Sequence, residues 1–197
     1  MTDQVAATSA ARDLPTLLIV IASVRQGRVG NAVGDWVASR ARESEGFSTD
    51  VVDLQELQLP LHDEPHHPRL RNYVGEHAKR WSARVDSADA FIFVLPEYNH
   101  SFSAPLKNAV DYLFAEWASK PIGLVSYGGL SGGTRAVVAL QPVLTNLGML
   151  STRTNVEIAW VAEHVVGGVF QATERHETAL AAQLREVAAM CSGHSLL

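Results

Sequence analysis

"FIFVLPEYNHSFSAPLKNAVDYLF", residues 91–114, opens as a buried strand and closes as an amphipathic helix. "AFIFVL", residues 90–95, is a continuous apolar run of strand length, the pattern of a strand covered on both faces. Leu106, Ala109, Val110, Leu113 and Trp117 then recur at helical spacing along one face, with Ser101 or Ser103 as candidate N-cap and Pro105 in the first turn. Between strand and helix lie Pro96, Glu97, Tyr98, Asn99, His100 and Ser101, where a plain turn needs only Gly, Asn or Asp.

The same alternation extends outward in both directions. "TLLIVIA", residues 16–22, is a second continuous apolar run, followed by Val29, Val33, Trp36 and Val37 on a helix to about Glu43, which Gly46 ends. "FSTDVVDL" reads as another strand, then a Pro- and His-rich loop, "QLPLHDEPHHPRL", then a helix with Val74, Ala78, Trp81 and Val85 on one face. "PIGLVSY" makes the fourth strand, "GGLSGG" the turn after it, and Val137, Leu140 and Leu144 the next helix, which Pro142 is expected to kink or whose boundary it is expected to shift. "TNVEIAW" reads as the fifth strand, and Leu180, Leu184, Val187 and Cys191 share a face of the last helix. Five strands alternating with helices imply right-handed crossovers and an α/β fold with a parallel sheet covered on both faces. The 2-1-3-4-5 order and the dinucleotide-binding order both fit this pattern, and in either one ligands bind beyond the carboxyl ends of the strands. Residues 1–14, rich in Ala, Thr and Ser, read as a flexible tail, and residues 15–197 as a single domain.

Composition narrows the function classes. Hydrophobic residues at 47% and charged residues at 19% exclude wholesale disorder. A formal charge of -5 offers no electrostatic reason to bind nucleic acid or an anionic membrane. Cys191, the only cysteine, leaves no internal disulfide and no thiolate metal site. No apolar run reaches the roughly 18 to 20 residues of a membrane span, and the first 13 residues lack a signal-type apolar centre, so a cytoplasmic protein is expected.

Three loops follow strands one, three and four. Ser23-Val24-Arg25-Gln26-Gly27-Arg28-Val29-Gly30-Asn31 opens the first helix, whose free N–H groups favour an anion; a hydroxyl and a guanidinium would complete a phosphate cup. It lacks the Gly-Lys-Ser/Thr of a nucleotide-triphosphate loop and the Gly-x-Gly-x-x-Gly of a dinucleotide loop, and a solvated turn with two surface arginines is the plainer reading. Arg28, inside the helix, is expected to point outward. Tyr127–Gly133 holds four glycines in seven positions, which either let backbone approach a flat ligand or merely keep the connection flexible. Tyr98 brings a stacking face and Asn99 an amide with donor and acceptor, while Glu97 either accepts from an imide-like N–H or holds the loop's own backbone. Together at one sheet edge these features specify a flat heterocycle carrying one phosphate.

"ASVRQGRVG … PEYNHSFSAPLKNAVDYL … SYGGLSGG" resembles the NADPH-dependent FMN reductase family, a flavodoxin-like group of azoreductases, quinone reductases and chromate-reducing flavoproteins, over residues 16 to about 160. The resemblance implies a flavodoxin-like three-layer sandwich with a five-stranded parallel sheet in order 2-1-3-4-5, bound FMN, and NADPH or NADH as hydride donor. It places Ser23 and Arg25 on the FMN phosphate, with backbone around Val29, Gly30 and Asn31 finishing the cup. Pro96, Glu97, Tyr98 and Asn99 would border the isoalloxazine, and Ser126, Gly128 and Gly129 would meet its other side. It implies no catalytic side chain and no metal, the chemistry taking place on flavin N5, with a flavin, quinone, azo dye or oxyanion as small-molecule acceptor. A flavodoxin-like single-electron carrier is the alternative, against which stands the lack of long acidic patches for redox partners.

His62, Asp63, Glu64, His66 and His67 raise the thought of a metal, but the two prolines and the loop setting favour an exposed segment beside the cofactor mouth. His100 is either a proton donor or a solvated loop histidine, and Lys107 and Asn108 either follow the family pattern or only stabilise the loop. Cys191 reads as packing. Phe102, Phe114 and Trp117 exceed what one covered face needs; with the family resemblance they imply a homodimer or a homotetramer, in which the two-fold partner helps close the flavin pocket. The alternative is that Trp117 folds back over the fourth strand.

Overall fold

The computed structural model describes residues 14–193; the expected tail lies almost wholly outside them. Strand β1 (Thr16–Ile21) leads into helix α1 (Gly30–Glu43), β2 (Ser48–Asp53) into the single turn α2 (Leu54–Leu57), and helix α3 (Glu76–Asp86) returns the chain to β3 (Ala90–Pro96). Helix α4 (Ala104–Asp111) precedes β4 (Pro121–Tyr127), and α5 (Thr134–Asn146) precedes two short strands, β5 (Leu150–Ser151) and β6 (Val156–Ile158). An antiparallel ribbon of β7 (Val165–Val166) and β8 (Val169–Phe170) comes before the long helix α6 (Glu174–Cys191). The parallel sheet runs β2-β1-β3-β4-β5, with β6 also on β4; of the two orders open on the strand pattern, 2-1-3-4-5 is the one found.

Alternation of side chains across the central strands divides the core. Leu18, Val20, Phe91 and Phe93 face α3, α4 and α5, whereas Leu17, Ile19, Ile92 and Val94 face α1 and α6. Every residue of β3 and β4 is buried, as an apolar strand without polar alternation requires. Burial on both faces leaves the strands' C-terminal ends as the place where polar groups emerge.

Four expectations need correction. The fifth strand is not continuous: Leu150 and Ser151 pair with Pro121 and Ile122, then pairing resumes at Val156 with Val125. From Ser151 to Val156 the chain takes five steps where β4 takes three, so extra residues bulge out. Helix α6 fills the gap: the Gln183 amide donates to Leu124 O (3.0 Å) and Thr154 O (2.7 Å), and the Glu186 carboxylate accepts from Arg153 N (2.8 Å) and Thr154 N (3.1 Å). Gly123 makes room, since a Cβ there would lie 2.7 Å from the Gln183 amide carbon. Val74 lies outside α3 and is exposed; Gly75 is the N-cap, and Glu64 accepts from both backbone N–H groups (2.6 and 2.8 Å). Pro142 sits inside α5 and does not set its boundary, the helix running on to Asn146, with the carbonyl four residues back belonging to exposed Val138.

Trp117 is the fourth correction. Helix α4 stops at Asp111, and Trp117, on a separate short 3-10 turn, is 0% exposed. Its ring packs on Trp81, Phe91 and Phe93, and its indole N–H donates to Val110 O (3.2 Å), so it folds back over β3 and is no interface residue. Phe102 and Phe114 are half-buried against the same core, with Arg69 stacked over Phe114.

Helix α6 begins with a reciprocal cap: Thr173 Oγ1 accepts from His176 N, and His176 Nδ1 accepts from Thr173 N. Burial, then the neighbouring His164 and Arg175, hold the imidazole below its ordinary value. The folded protein therefore keeps His176 neutral and the unfolded chain binds the extra proton first. Stability from this group is whole above about pH 6.5 and is lost as pH falls from there through the lower folded value. Urea midpoints measured between about pH 7.5 and pH 5.5 should fall on acidification. His176→Gln, which keeps an acceptor that does not titrate, should show a smaller fall.

Candidate functional site

At the C-terminal edge the loop after β1 is held from both sides. Ala22 is tied to β3 through its N–H on Val94 O (2.9 Å), and the buried Ser103 hydroxyl donates to Ala22 O (2.8 Å), leaving α4 without a side-chain cap from Ser103. Arg28 donates to Ser23 O (2.5 Å) and forms a two-point ion pair with Asp53 (2.6 and 2.5 Å), the side chains only 13% and 12% exposed. That hydrogen-bonded pairing raises the guanidinium's pKa. Arg28 thus points inward, contrary to expectation, and anchors the loop to the end of β2. Arg25 is exposed, and its side chain makes no hydrogen bond or ion pair among the described residues. Gly27, at φ +66°, turns the chain between the two arginines.

Helix α1 starts at Gly30 with Val29 as N-cap, no side-chain cap and no acidic residue in its first turn. By contrast Asp53 caps α2 and Thr173 caps α6. The first-turn N–H groups of α1 are left for an anion or for water.

The loop after β3 is a tight reversal. Tyr98 and Ser101 exchange backbone hydrogen bonds (2.9 and 3.0 Å), and Asn99 and His100 between them both carry positive φ, +49° and +65°, as a two-residue type I′ turn requires. A histidine in that region is strained, and the neighbouring bonds hold it there. Tyr98 is 36% exposed and its hydroxyl meets Ser23 Oγ at 2.7 Å. One hydroxyl of that pair donates to the other, so one O–H stays free for a ligand. Asn99 and His100 face solvent.

Glu97 faces the glycine-rich loop. Its carboxylate accepts from Ser131 Oγ (2.7 Å), Arg135 N (3.2 Å) and Arg135 Nε (2.7 Å), and its own N–H donates to Tyr127 O (3.0 Å). Burial acts to raise this carboxyl, but the Arg135 and Ser131 hydrogen bonds hold it below its ordinary value. Of the two roles open to it, Glu97 takes the structural one, though it straps a neighbouring loop and not its own backbone. Ser126 is also a correction: it is fully buried with its hydroxyl donating to Gly132 O (2.9 Å), so it shapes the loop from beneath and presents no side-chain atom to a ring. Gly133 needs its φ of +90° and its bare Cα, since a Cβ there would lie 2.6 Å from Ser126 Cβ. Gly128 and Gly129 bond to the next segment, Gly128 N to Ile158 O (3.2 Å), Val161 N to Gly128 O (3.1 Å) and Trp160 N to Gly129 O (3.0 Å).

Two residues at this edge escape the sequence reading. Trp160, 52% exposed and at φ +51°, brings its indole beside Gly129. The only signal for it was an aromatic at the carboxyl end of the last strand. Tyr127, ending β4, buries a hydroxyl with no partner. The Pro- and His-rich loop is tied down by α4: Asn108 accepts from His62 N (2.9 Å) and donates to Pro60 O (2.7 Å), while Lys107 pairs with Asp111. Among the described residues no three of His, Cys, Asp and Glu are grouped to hold a metal.

The donor set fits a phosphorylated flat ring: an uncapped helix N-terminus, a free guanidinium beside it, an exposed phenol, and the N–H of exposed Gly129, all on loops bonded to one another. A family model for NADPH-dependent FMN reductase matches residues 15–164. The chain is 40% identical over 134 residues to an NAD(P)H-dependent FMN reductase of Nectria sp, covering 65% of this chain and 66% of that protein. It is 32% identical over 116 residues to a 2-hydroxy-1,4-benzoquinone reductase of Burkholderia sp, covering 59% of this chain and 56% of that one. The chain thus spans two thirds or less of these curated relatives. In structure it is similar to a flavoenzyme NAD(P)H:(acceptor) oxidoreductase of Paracoccus denitrificans, with a TM-score of 0.70 at 22% identity over 93% of this chain and 100% of that one, a likeness of fold.

The two arginines divide anchoring from binding, which unfolding can separate. Arg28→Ala leaves the largely buried Asp53 carboxylate without its ion-pair partner and should lower the unfolding free energy by about 1 to 3 kcal/mol. Arg25→Ala touches nothing in the fold and should stay within about 0.5 kcal/mol of wild type in the same urea titration.

Proposed function

The chain belongs to the NADPH-dependent FMN reductase family, and on that premise we propose that it is an FMN-dependent NAD(P)H oxidoreductase whose acceptor is a small oxidant such as a quinone, an azo compound or free flavin. One observation carries the reading: the unengaged Arg25 and the uncapped start of α1 share an edge with Tyr98 and the exposed Gly129. The quinone reductase among its relatives supports the acceptor class.

Arg25, the first-turn N–H groups of Gly30 and Asn31, backbone at Val29 and the free O–H of the Ser23–Tyr98 pair take the phosphate. Pro96, Tyr98 and Asn99 border the ring on one side, and Gly128 and Gly129 on the other, with Glu97 and Ser126 bracing the two loops. FMN, when bound, supplies two-electron exchange between NADPH or NADH and the acceptor. The chain's own part is to fix the ring's place and leave one face open to both reactants. Residues 15–197 act as one flavin-binding domain.

Exposed Leu61, Leu130 and Trp160 stand around the same edge, apolar surface that a second copy would cover, which supports a homodimer, or a homotetramer made of two such dimers, with no part for Trp117. Among the described residues no helix is long and apolar enough to cross a membrane, in keeping with a cytoplasmic place of work.

Purified protein should be yellow, release FMN on denaturation, and consume NADPH or NADH in the presence of benzoquinone. A colourless protein that takes up no FMN, or bound FMN that neither nucleotide reduces, would end the proposal. Arg25→Ala should raise the FMN dissociation constant about 10- to 100-fold, the scale of a charge-assisted hydrogen bond, while its urea midpoint holds.

A further inference from the structure

Tyr127 turns its side chain into the core between the sheet and α1. The residue is 4% exposed, and its hydroxyl is among the few buried side-chain polar atoms of the described residues with no hydrogen-bond partner. Ser23 is the hydroxyl that acts on the phenol, yet its Oγ is already engaged with Tyr98, and a buried hydroxyl without a formed hydrogen bond is costly.

Gly30 shows where that hydroxyl points. A Cβ on Gly30 would lie 2.3 Å from the Tyr127 oxygen and 3.3 Å from Ser23 Cβ. Helical Cβ atoms lean toward the N-terminus, and Gly30 is the first residue of α1. The phenol oxygen therefore lies against the first residue of α1, beside the first turn whose N–H groups have no intrahelical partner. That mouth has no side-chain cap and no first-turn acid. After burial, Ser23, then Tyr98, Arg28 and Arg25 act on the phenol, which sets it among the groups of the loops after β1 and β3. Burial pushes the phenol's own pKa up, so it remains a protonated donor through the neutral range.

We propose that the Tyr127 hydroxyl donates a hydrogen bond to a phosphate monoester seated at the N-terminus of α1, as a positioning residue that makes the site prefer FMN to riboflavin. The inference rests on the flavin reading above and adds to it a phosphate ligand from β4, a strand away from the loop that supplies the others. It also gives Gly30 a reason: any side chain there would displace the phenol.

Flavin titrations of the full chain, followed by fluorescence quenching, compare FMN with riboflavin on wild type and Tyr127→Phe. That substitution removes one oxygen and keeps the ring's packing. The expected result is an FMN dissociation constant raised about tenfold with riboflavin affinity unchanged, the size of one hydrogen bond to a charged group. An unchanged ratio of FMN to riboflavin affinity, whether both weaken or neither does, overturns the assignment. If wild type binds neither flavin, the flavin reading fails by itself, and inorganic phosphate then decides Tyr127. Thermal stabilisation by phosphate that shrinks in Tyr127→Phe supports the hydroxyl as an anion ligand, and stabilisation equal in the two proteins overturns it.

Discussion

The structure depends on β1, β3 and β4 being sealed on both faces. Strands so apolar can pair only in the middle of a sheet, and helices must cover them on each side. Their registers, Leu17 beside Ala90 and Phe91 beside Ile122, bring Ile21, Pro96 and Tyr127 to the same end of the sheet. Polar backbone and side chains that have no place along the strands collect at that end. The candidate site follows from the way the core is built.

What turns that edge into a site is a run of side-chain and backbone bonds from one loop to the next. Arg28 ties the first loop to Asp53, Ser23 meets Tyr98, Glu97 holds Ser131 and Arg135, and Gly128 and Gly129 bond to Ile158, Val161 and Trp160. Each partner lies on a different strand's loop, so the four loops hold one another without needing a ligand. Such preorganisation leaves less to be ordered when a cofactor arrives. It also sorts the polar residues into two groups. Arg28, Glu97 and Ser126 have their hydrogen bonds satisfied inside the protein, while Arg25, the start of α1 and one O–H of the Ser23–Tyr98 pair do not.

The interrupted fifth strand shows the same economy. Gln183 and Glu186 reach from α6 to satisfy the backbone groups that the bulge leaves open, and Gly123 gives Gln183 its space. The last helix therefore supports the sheet edge that carries Trp160, far from where its own apolar face alone would place its role.

Local pattern alone determined the elements and their alternation, because apolar runs and helical spacing are short-range properties of the chain. "TLLIVIA", "AFIFVL" and "PIGLVSY" read as the buried strands that they are, and the three loops stood out by residue type. The strand pattern left two sheet orders open, and the resemblance to FMN reductases chose between them. The direction in which a side chain spends its hydrogen bonds was decided only by tertiary structure. Arg25 and Arg28 stand three residues apart with the same chemistry, yet Asp53 claims one and leaves the other free. Trp117 reads as a helix-face aromatic until Trp81, Phe91 and Phe93 enclose it. The bulge after Ser151 and the unpartnered Tyr127 hydroxyl likewise depend on groups distant in sequence, Gln183 and Gly30. Periodicity records which face of an element is covered, whereas pairing between polar groups exists only once the chain has brought its partners together.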